Sequence, residues 1–129
     1  MADIAKEKWS VVYYEDRKGN VPVKEFVLEL TETSRATMFR DFDLLEELGI
    51  LAGAPLVRPI TGIKKLWELR SKTKDGAVRI FYITHTVKQF VLLHGFIKKS
   101  AKTPKNDLDL AEKRLKDFLE REKTRNVDT

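Results

Sequence analysis

An arginine inside an apolar segment is the residue whose placement most strongly indicates chemistry in this chain. Arg79 lies in the segment AVRIFYITH, and its neighbours from residue 77 to residue 83 are all apolar. A buried guanidinium is unfavourable unless it is paired, and its planar group can bind a phosphate through two parallel hydrogen bonds. Two interpretations stay open: Arg79 pairs with a carboxylate such as Glu68, or it binds a phosphate. Both can hold together, because a carboxylate can orient the guanidinium.

Further basic groups follow on neighbouring segments that read as strands. Lys98 and Lys99 come at the end of the last of them, and His94 lies within it. Arginines and lysines that converge on one pocket can stabilise the charge of a pentavalent phosphorane. A histidine can transfer a proton near neutral pH, although a core histidine with a satisfied hydrogen bond is an equal alternative for His94. The candidate catalytic residues are therefore Arg79, His94, Lys98 and Lys99.

The basic charge is concentrated in one continuous third of the chain. Residues 64–105 contain eleven Lys or Arg and two acids, a net charge of +9, whereas the remaining residues carry a net charge of −4. This distribution is typical of a polyanion-binding site, and the alternative is a solvated basic face. The candidate polyanion-binding residues are Arg70, Lys72, Lys74, Lys102 and Lys105.

Several other kinds of site are not predicted. The chain has no cysteine, which excludes disulfides, thiolate metal ligands and a cysteine nucleophile. His85 and His94 have no acidic cluster beside them, so we expect no metal site, and we expect no cofactor. The N-terminal MADIAKEKW lacks the apolar region of a signal peptide. No apolar run approaches the roughly 20 residues that span a bilayer, so we expect a cytoplasmic protein without membrane contact.

The pattern of apolar residues predicts an α+β domain over residues 1–121, followed by a flexible tail over residues 122–129. Strands are predicted at residues 9–14, 64–71, 77–85 and 89–98, with a connecting loop at residues 50–62. Helices are predicted after Pro22, after Thr33 or Ser34, and after Asn106. The short links between the last three strands, including the turn at Asp75-Gly76, favour antiparallel pairing. The order is β-α-α-β-β-β-α: a mostly antiparallel four-stranded sheet with the helices on one face, which leaves the other face to the basic residues.

The alternation of side chains along each strand assigns residues to faces. Glu68 and Arg70 should share one face, whereas Trp67 and Leu69 share the other. In the next strand the period of two separates Arg79, Phe81 and Ile83 from Val78, Ile80 and Tyr82. The near-continuous apolar residues of this strand also indicate burial on both faces.

Five segments of the chain resemble one protein family. They are LWELR at 66–70, VRIFY at 78–82, LLHGFIKKSAKTP at 92–104, DLDLAEKRLKDFL at 107–119 and GNVPVKEFVLEL at 19–30. Together, in this order and spacing, they resemble the phage-derived, HigB-like branch of the RelE/ParE toxin superfamily. The resemblance covers nearly the whole chain.

The resemblance implies the RelE, microbial-RNase-like fold and a type II toxin that cleaves mRNA at the ribosome without a metal, inhibiting translation. In such toxins the ribose 2′-oxygen attacks the neighbouring phosphate and leaves a 2′,3′-cyclic phosphate. The strand arginine of the family corresponds to Arg79, the basic group after the last strand to Lys98 or Lys99, and the one in the hairpin to Arg70. The implied partners are mRNA, the ribosome and a helix-turn-helix antitoxin. Many relatives carry a reactive aromatic residue or histidine near the C-terminus, where this chain offers Phe118.

Two other functions fit the same scaffold. One is a gyrase-poisoning toxin of the ParE type, against which the lysines of residues 98–105 argue, since a phosphate-directed pocket suits a nuclease better. The other is a non-catalytic nucleic-acid-binding phage accessory protein. Cleavage of mRNA would indicate the ribonuclease, and damage to DNA with intact mRNA would indicate the gyrase poison. Neither effect is expected of the non-catalytic protein.

Overall fold

A computed structural model describes residues 8–85, 88–102 and 104–127. Its α+β architecture has three α-helices and five strands, as well as a short 3-10 helix at Gly49–Leu51. The helices are α1 (Pro22–Leu28), α2 (Glu32–Leu48) and α3 (Lys105–Val127). The strands are β1 (Ser10–Tyr13), β2 (Val57–Pro59), β3 (Trp67–Thr73), β4 (Gly76–His85) and β5 (Gln89–Lys98).

The sheet is five-stranded and mixed, so the expected four-stranded, mostly antiparallel sheet was wrong in detail. The strand order is β1-β5-β4-β3-β2, in which β1 runs parallel to β5 and the other neighbours are antiparallel. The additional strand β2 lies within the segment that was predicted as a loop. It has three residues and ends in Pro59, which lacks a backbone N–H, and such a segment is compatible only with a sheet edge.

Helices cover both faces of the sheet, which corrects the prediction that they share one face. Helices α1 and α2 pack on one face, where the buried core includes Val27, Met38, Phe42, Leu69 and Ile80. Helix α3 packs on the other face through Ala111 and Leu115, against buried residues that include Phe81, Ile83 and Leu93. The apolar periods of the helices show which side of each helix is buried but not which face of the sheet that side covers.

The predicted division of β3 and β4 into two faces is confirmed. Leu69, Val78, Ile80 and Tyr82 are buried against α1 and α2, whereas Phe81 and Ile83 are buried on the α3 side. The register then places side chains of the α3 side in three rows across the strands. The rows are Arg58–Glu68–Phe81–His94, Arg70–Arg79–Phe96 and Lys72–Ala77–Lys98.

A bulge in β5 directs two consecutive residues toward α3. Phe81 pairs with His94 and Tyr82 pairs with Leu92, so that Leu93 is the extra residue of β5. Leu93 packs in the α3-side core, and the neighbouring His94 reaches Asp107 of α3. The bulge therefore gives β5 two successive contacts with the same helix.

Helix α3 is longer than the sequence predicted. It continues through Val127, so residues 122–127, which were assigned to a flexible tail, are helical. None of the helices in the described part of the chain is long and apolar enough to cross a membrane.

Candidate nucleic-acid interface

One half of the α3-side face is left open by α3, which packs mainly on β5. Strands β2, β3 and β4 form this open half, and the register brings Arg58, Glu68, Arg70 and Arg79 together on it. We call these four residues the arginine cluster. Each of the three strands contributes at least one member, so the cluster exists only when the sheet has formed.

Glu68 is the centre of the arginine cluster. Its side chain is completely buried, and its Oε1 accepts a hydrogen bond from Nε of Arg58 at 3.0 Å. The same oxygen lies 3.8 Å from Nε of Arg79 and 3.9 Å from Nε of Arg70. The predicted ion pair between Arg79 and Glu68 is therefore present, and two further arginines share the carboxylate.

Three buried polar atoms of the arginine cluster have no hydrogen-bond partner among the residues described. They are Oε2 of Glu68, Nε of Arg70 and Nε of Arg79. Arg79 does donate from Nη1 to the carbonyl oxygen of Val78 at 3.2 Å. Because nearly all buried polar groups in folded proteins are hydrogen-bonded, this set of unpartnered atoms identifies the cluster as a site with unused hydrogen-bonding capacity.

The three arginines become less exposed toward the centre of the sheet. The side chain of Arg58 is 44% exposed, that of Arg70 34% and that of Arg79 only 11%. Burial lowers the pKa of Arg79, the charge of Glu68 raises it, and the charges of Arg70 and Arg58 lower it further. An arginine nevertheless stays charged in proteins, so Arg79 presents a poorly hydrated cation to any anion that reaches it.

A cavity of about 580 Å³ opens beside the arginine cluster. Such a volume lies within the roughly 300–1,000 Å³ of small-molecule sites. Arg70, Lys72 and Arg79 supply its basic groups, and Pro55 and Leu56 supply much of its apolar wall. Ser71 and Ala77 complete the lining. A cavity whose lining combines cations with apolar groups suits a phosphate with its attached nucleoside.

The structure brings together some of the predicted basic residues and leaves others apart. Lys98 pairs with Ala77 of the cavity wall, so it lies at the edge of the site by register. Lys74 lies in the exposed β3–β4 turn, whereas Lys99, Lys102 and Lys105 are exposed after β5 and at the start of α3. Those four are not among the residues that line the cavity.

His94 is held by two side chains of α3. Its Nε2 lies 2.6 Å from Oδ1 of Asp107, and Nη1 of Arg114 lies 3.0 Å from its Nδ1. Because a guanidinium can only donate, Nδ1 accepts and Nε2–H donates to Asp107 in the neutral ring. The pKa of His94 is lowered, mainly by burial and further by the charge of Arg114. The hydrogen bond to Asp107 opposes this shift.

Sequence reasoning missed Arg58 and Arg114. Arg58 lies in the segment predicted as a loop, and it joins the arginine cluster because β2 pairs with β3. Arg114 lies on α3, where its Nη1 also donates to the carbonyl oxygen of Leu93. Nothing in the local sequence of either residue signals these contacts, because both depend on tertiary pairing.

Metal-ligand geometry is not found in the described part of the chain, where no group of three or more His, Cys, Asp or Glu side chains could hold a metal ion. The arginine cluster has a single carboxylate surrounded by three cations. This arrangement repels metal ions and attracts anions.

Comparison with known proteins identifies a family. Residues 25–116 match the family model described as "Phage derived protein Gp49-like (DUF891)", a family of RelE/HigB-like toxin-type proteins. The matched residues include the whole arginine cluster and Lys98. No curated protein matches the chain. Because the match covers more than half of the sequence, the chain belongs to the phage-derived Gp49-like family.

Proposed function

We propose that this protein is the toxin of a type II toxin–antitoxin system and cleaves mRNA, with the ribosome positioning the substrate. The observation that carries the proposal is the arginine cluster beside an open cavity that Arg70 and Arg79 line. Membership of a toxin-type family supports it. The substrate is the phosphodiester backbone of RNA.

The reaction that fits this site needs no metal ion. The 2′-hydroxyl of one nucleotide loses its proton and attacks the adjacent phosphorus, and the 5′-oxygen of the next nucleotide leaves and takes up a proton. The products are a 2′,3′-cyclic phosphate and a 5′-hydroxyl. Arg79 and Arg70 stabilise the charge of the phosphorane by electrostatic attraction and hydrogen bonds. Lys98 and Lys99 add to the positive charge that stabilises the phosphorane.

The groups that transfer protons stay a prediction. From the sequence, His94 is the candidate for proton transfer, whereas Lys98 and Lys99 are candidates for stabilising the charge of the phosphorane. Both ring nitrogens of His94 already have protein partners, so His94 takes part only if a contact with Asp107 or Arg114 opens. This occupied histidine is the observation that favours the alternative of a non-catalytic nucleic-acid-binding protein, in which His94 only joins α3 to β5.

A helix-turn-helix antitoxin, mRNA and the ribosome are the proposed partners. The antitoxin has two physical routes to inhibition. It can cover the basic open half of the sheet, or it can pack elsewhere and prevent entry into the ribosome by its bulk.

The test of the proposed function is cleavage of an end-labelled mRNA on purified ribosomes stalled with a defined codon in the A site. The protein should cut the message there and leave 2′,3′-cyclic phosphate ends. The control is Arg40→Ala, which removes an exposed arginine of α2 on the opposite face of the sheet and should cut normally. Ends with a 3′-hydroxyl and a 5′-phosphate would indicate attack by water instead of the 2′-oxygen and contradict this mechanism. A message that stays intact with and without ribosomes would contradict the proposed function and leave the two alternatives, the gyrase-poisoning toxin and the non-catalytic nucleic-acid-binding protein.

A further inference from the structure

Glu68 combines features that a merely structural ion pair does not need. A completely buried carboxylate is strongly disfavoured unless it is paired and hydrogen-bonded. Glu68 has one short hydrogen bond, to Arg58, and its second oxygen has no partner among the described residues. A two-bond pair with one arginine would satisfy both oxygens, and Glu68 does not form one.

The distances within the arginine cluster differ in a systematic way. The most exposed arginine, Arg58, has the short contact to Oε1, whereas the two arginines that line the cavity lie 3.8 and 3.9 Å from it. At those distances the carboxylate attracts Arg79 and Arg70 electrostatically but takes no hydrogen bond from their Nε atoms. Both guanidiniums are thus drawn to one place beside the cavity that they line.

We propose that Glu68 is a positioning residue of the RNA-cleaving site, a shared counter-charge that Arg58 fixes in place and that holds Arg70 and Arg79 ready for a phosphate. The inference rests on the proposed function, since it assigns Glu68 and Arg58 their roles in the same reaction. Arg58 does not line the cavity, so its effect on cleavage is transmitted through Glu68.

The proposal predicts that loss of the Glu68 charge lowers turnover without weakening RNA binding. The arginine cluster carries a net charge of +2, from three arginines and one glutamate, and Glu68→Gln raises it to +3. Glu68→Gln should therefore bind RNA at least as tightly as the wild type, with a steeper dependence on salt. The unopposed guanidiniums should repel one another and lose their alignment, and kcat should fall about 10- to 100-fold. A role confined to folding would instead weaken binding and turnover together.

The experiment compares the wild type with Glu68→Gln and Arg58→Lys in ribosome-dependent cleavage and in RNA binding at several salt concentrations. Arg58→Lys keeps the charge but loses the Nε–H that holds Oε1, and its half-exposed side chain makes it the variant that folds if Glu68→Gln does not. It should lower kcat several-fold with unchanged RNA affinity. Arg40→Lys is the matched control and should change neither. The proposal is overturned if Glu68→Gln folds and its kcat is unchanged. If only Arg58→Lys folds, an unchanged kcat in that variant overturns it.

A second measurement is independent of cleavage. In ¹⁵N NMR spectra of the arginine side chains, Glu68→Gln should shift the Nε–H signals of Arg58, Arg70 and Arg79 together, because they share one carboxylate. A shift confined to Arg58 would show that the other two arginines are held by something else and would refute the shared counter-charge. If the wild type does not cleave mRNA, the proposed function fails, and these signals alone decide whether Glu68 holds the cluster.

Discussion

At the scale of single residues, the position of Arg79 was the most informative feature of the sequence. An arginine surrounded by apolar residues in a strand requires a partner, and the sequence offered Glu68 of the neighbouring strand as a candidate beside other acids. The structure confirms this ion pair at 3.8 Å. The role of Arg58 could not be predicted, because it comes from the pairing of a three-residue edge strand that leaves no periodic signal.

His94 should make the stability of the protein depend on pH. Its pKa is lowered from an ordinary value of 6.5 by burial and by Arg114. Below about pH 6.5 the unfolded chain therefore binds a proton that the folded protein excludes, and the free energy of unfolding falls as the pH falls. The loss is up to about 1.4 kcal/mol per pH unit until the lowered pKa is reached.

Urea unfolding at about pH 7.5 and about pH 5.5 measures this dependence. The wild type should lose more stability between the two conditions than His94→Gln, which cannot be protonated. Equal losses in the two proteins would mean that the folded protein admits the proton on His94, and that the contacts with Asp107 and Arg114 do not oppose its charging.

At the scale of elements, local patterns predicted the kinds of element better than their arrangement. The helices, the antiparallel hairpin and the faces of β3 and β4 follow from periodicity and turn residues. The position of α3 on the second face does not, because an apolar stripe has no information about which sheet surface it will cover. The burial of β4 on both of its faces, which the sequence indicated, is the feature that requires a helix on each face of the sheet.

Gly95 should be required for the packing of α1 on the sheet. A methyl group at Gly95 would lie 2.7 Å from Cδ2 of Phe26 on α1 and 2.8 Å from Cδ1 of Ile80 on β4. Gly95→Ala should therefore lower the free energy of unfolding by about 1–3 kcal/mol, the range for overpacking a core. Thermal or urea unfolding measures the loss.

The matched control for this prediction is Gly53→Ala. A methyl group at Gly53 would meet nothing within 4 Å, and the residue does not adopt the left-handed conformation. This variant should be as stable as the wild type or slightly more stable. A Gly95→Ala protein with wild-type stability would show that α1 can move away from β5 without loss.

At the scale of the whole molecule, the uneven charge distribution predicts how RNA binds. The basic third of the chain supplies the basic groups of the cavity lining and the exposed lysines that follow β5. Lys98→Ala and Lys99→Ala should each weaken RNA binding, and the double variant should lose more than either. Each lost phosphate contact should make the negative slope of log K against log salt shallower by about 0.7 for single-stranded RNA. Binding that is insensitive to ionic strength would count against a phosphate-directed surface.

The charge distribution also predicts where the proposed antitoxin should bind. An acidic partner would be steered to the open half of the sheet, so the charge reversals Lys72→Glu and Lys98→Glu should weaken complex formation with the product of an adjacent helix-turn-helix gene. Co-purification at several salt concentrations measures this effect.

The comparison surface for this experiment is the end of α2 and the 3-10 helix that follows it. Ile50 and Leu51 are 69% and 83% exposed there, near the exposed Leu44 and Leu48. Leu48→Ser and Leu51→Ser should leave the complex intact if the antitoxin binds the basic face. Loss of the complex in these variants, with no effect of the charge reversals, would place the antitoxin on α2 and remove the argument from electrostatic steering.

The central claim, that the arginine cluster cleaves mRNA, is tested most directly by mapping transcript ends in cells after induced expression of the wild type and of Arg79→Ala. The wild type should stop growth and produce new mRNA ends that carry 2′,3′-cyclic phosphates, while chromosomal DNA stays intact. Arg79→Ala should lower the cleavage rate about 100- to 1,000-fold, so that both the new mRNA ends and the toxicity disappear. Its circular dichroism spectrum should remain that of the folded protein. Intact transcripts together with DNA damage in wild-type cells, or undiminished cleavage by folded Arg79→Ala, would contradict the claim.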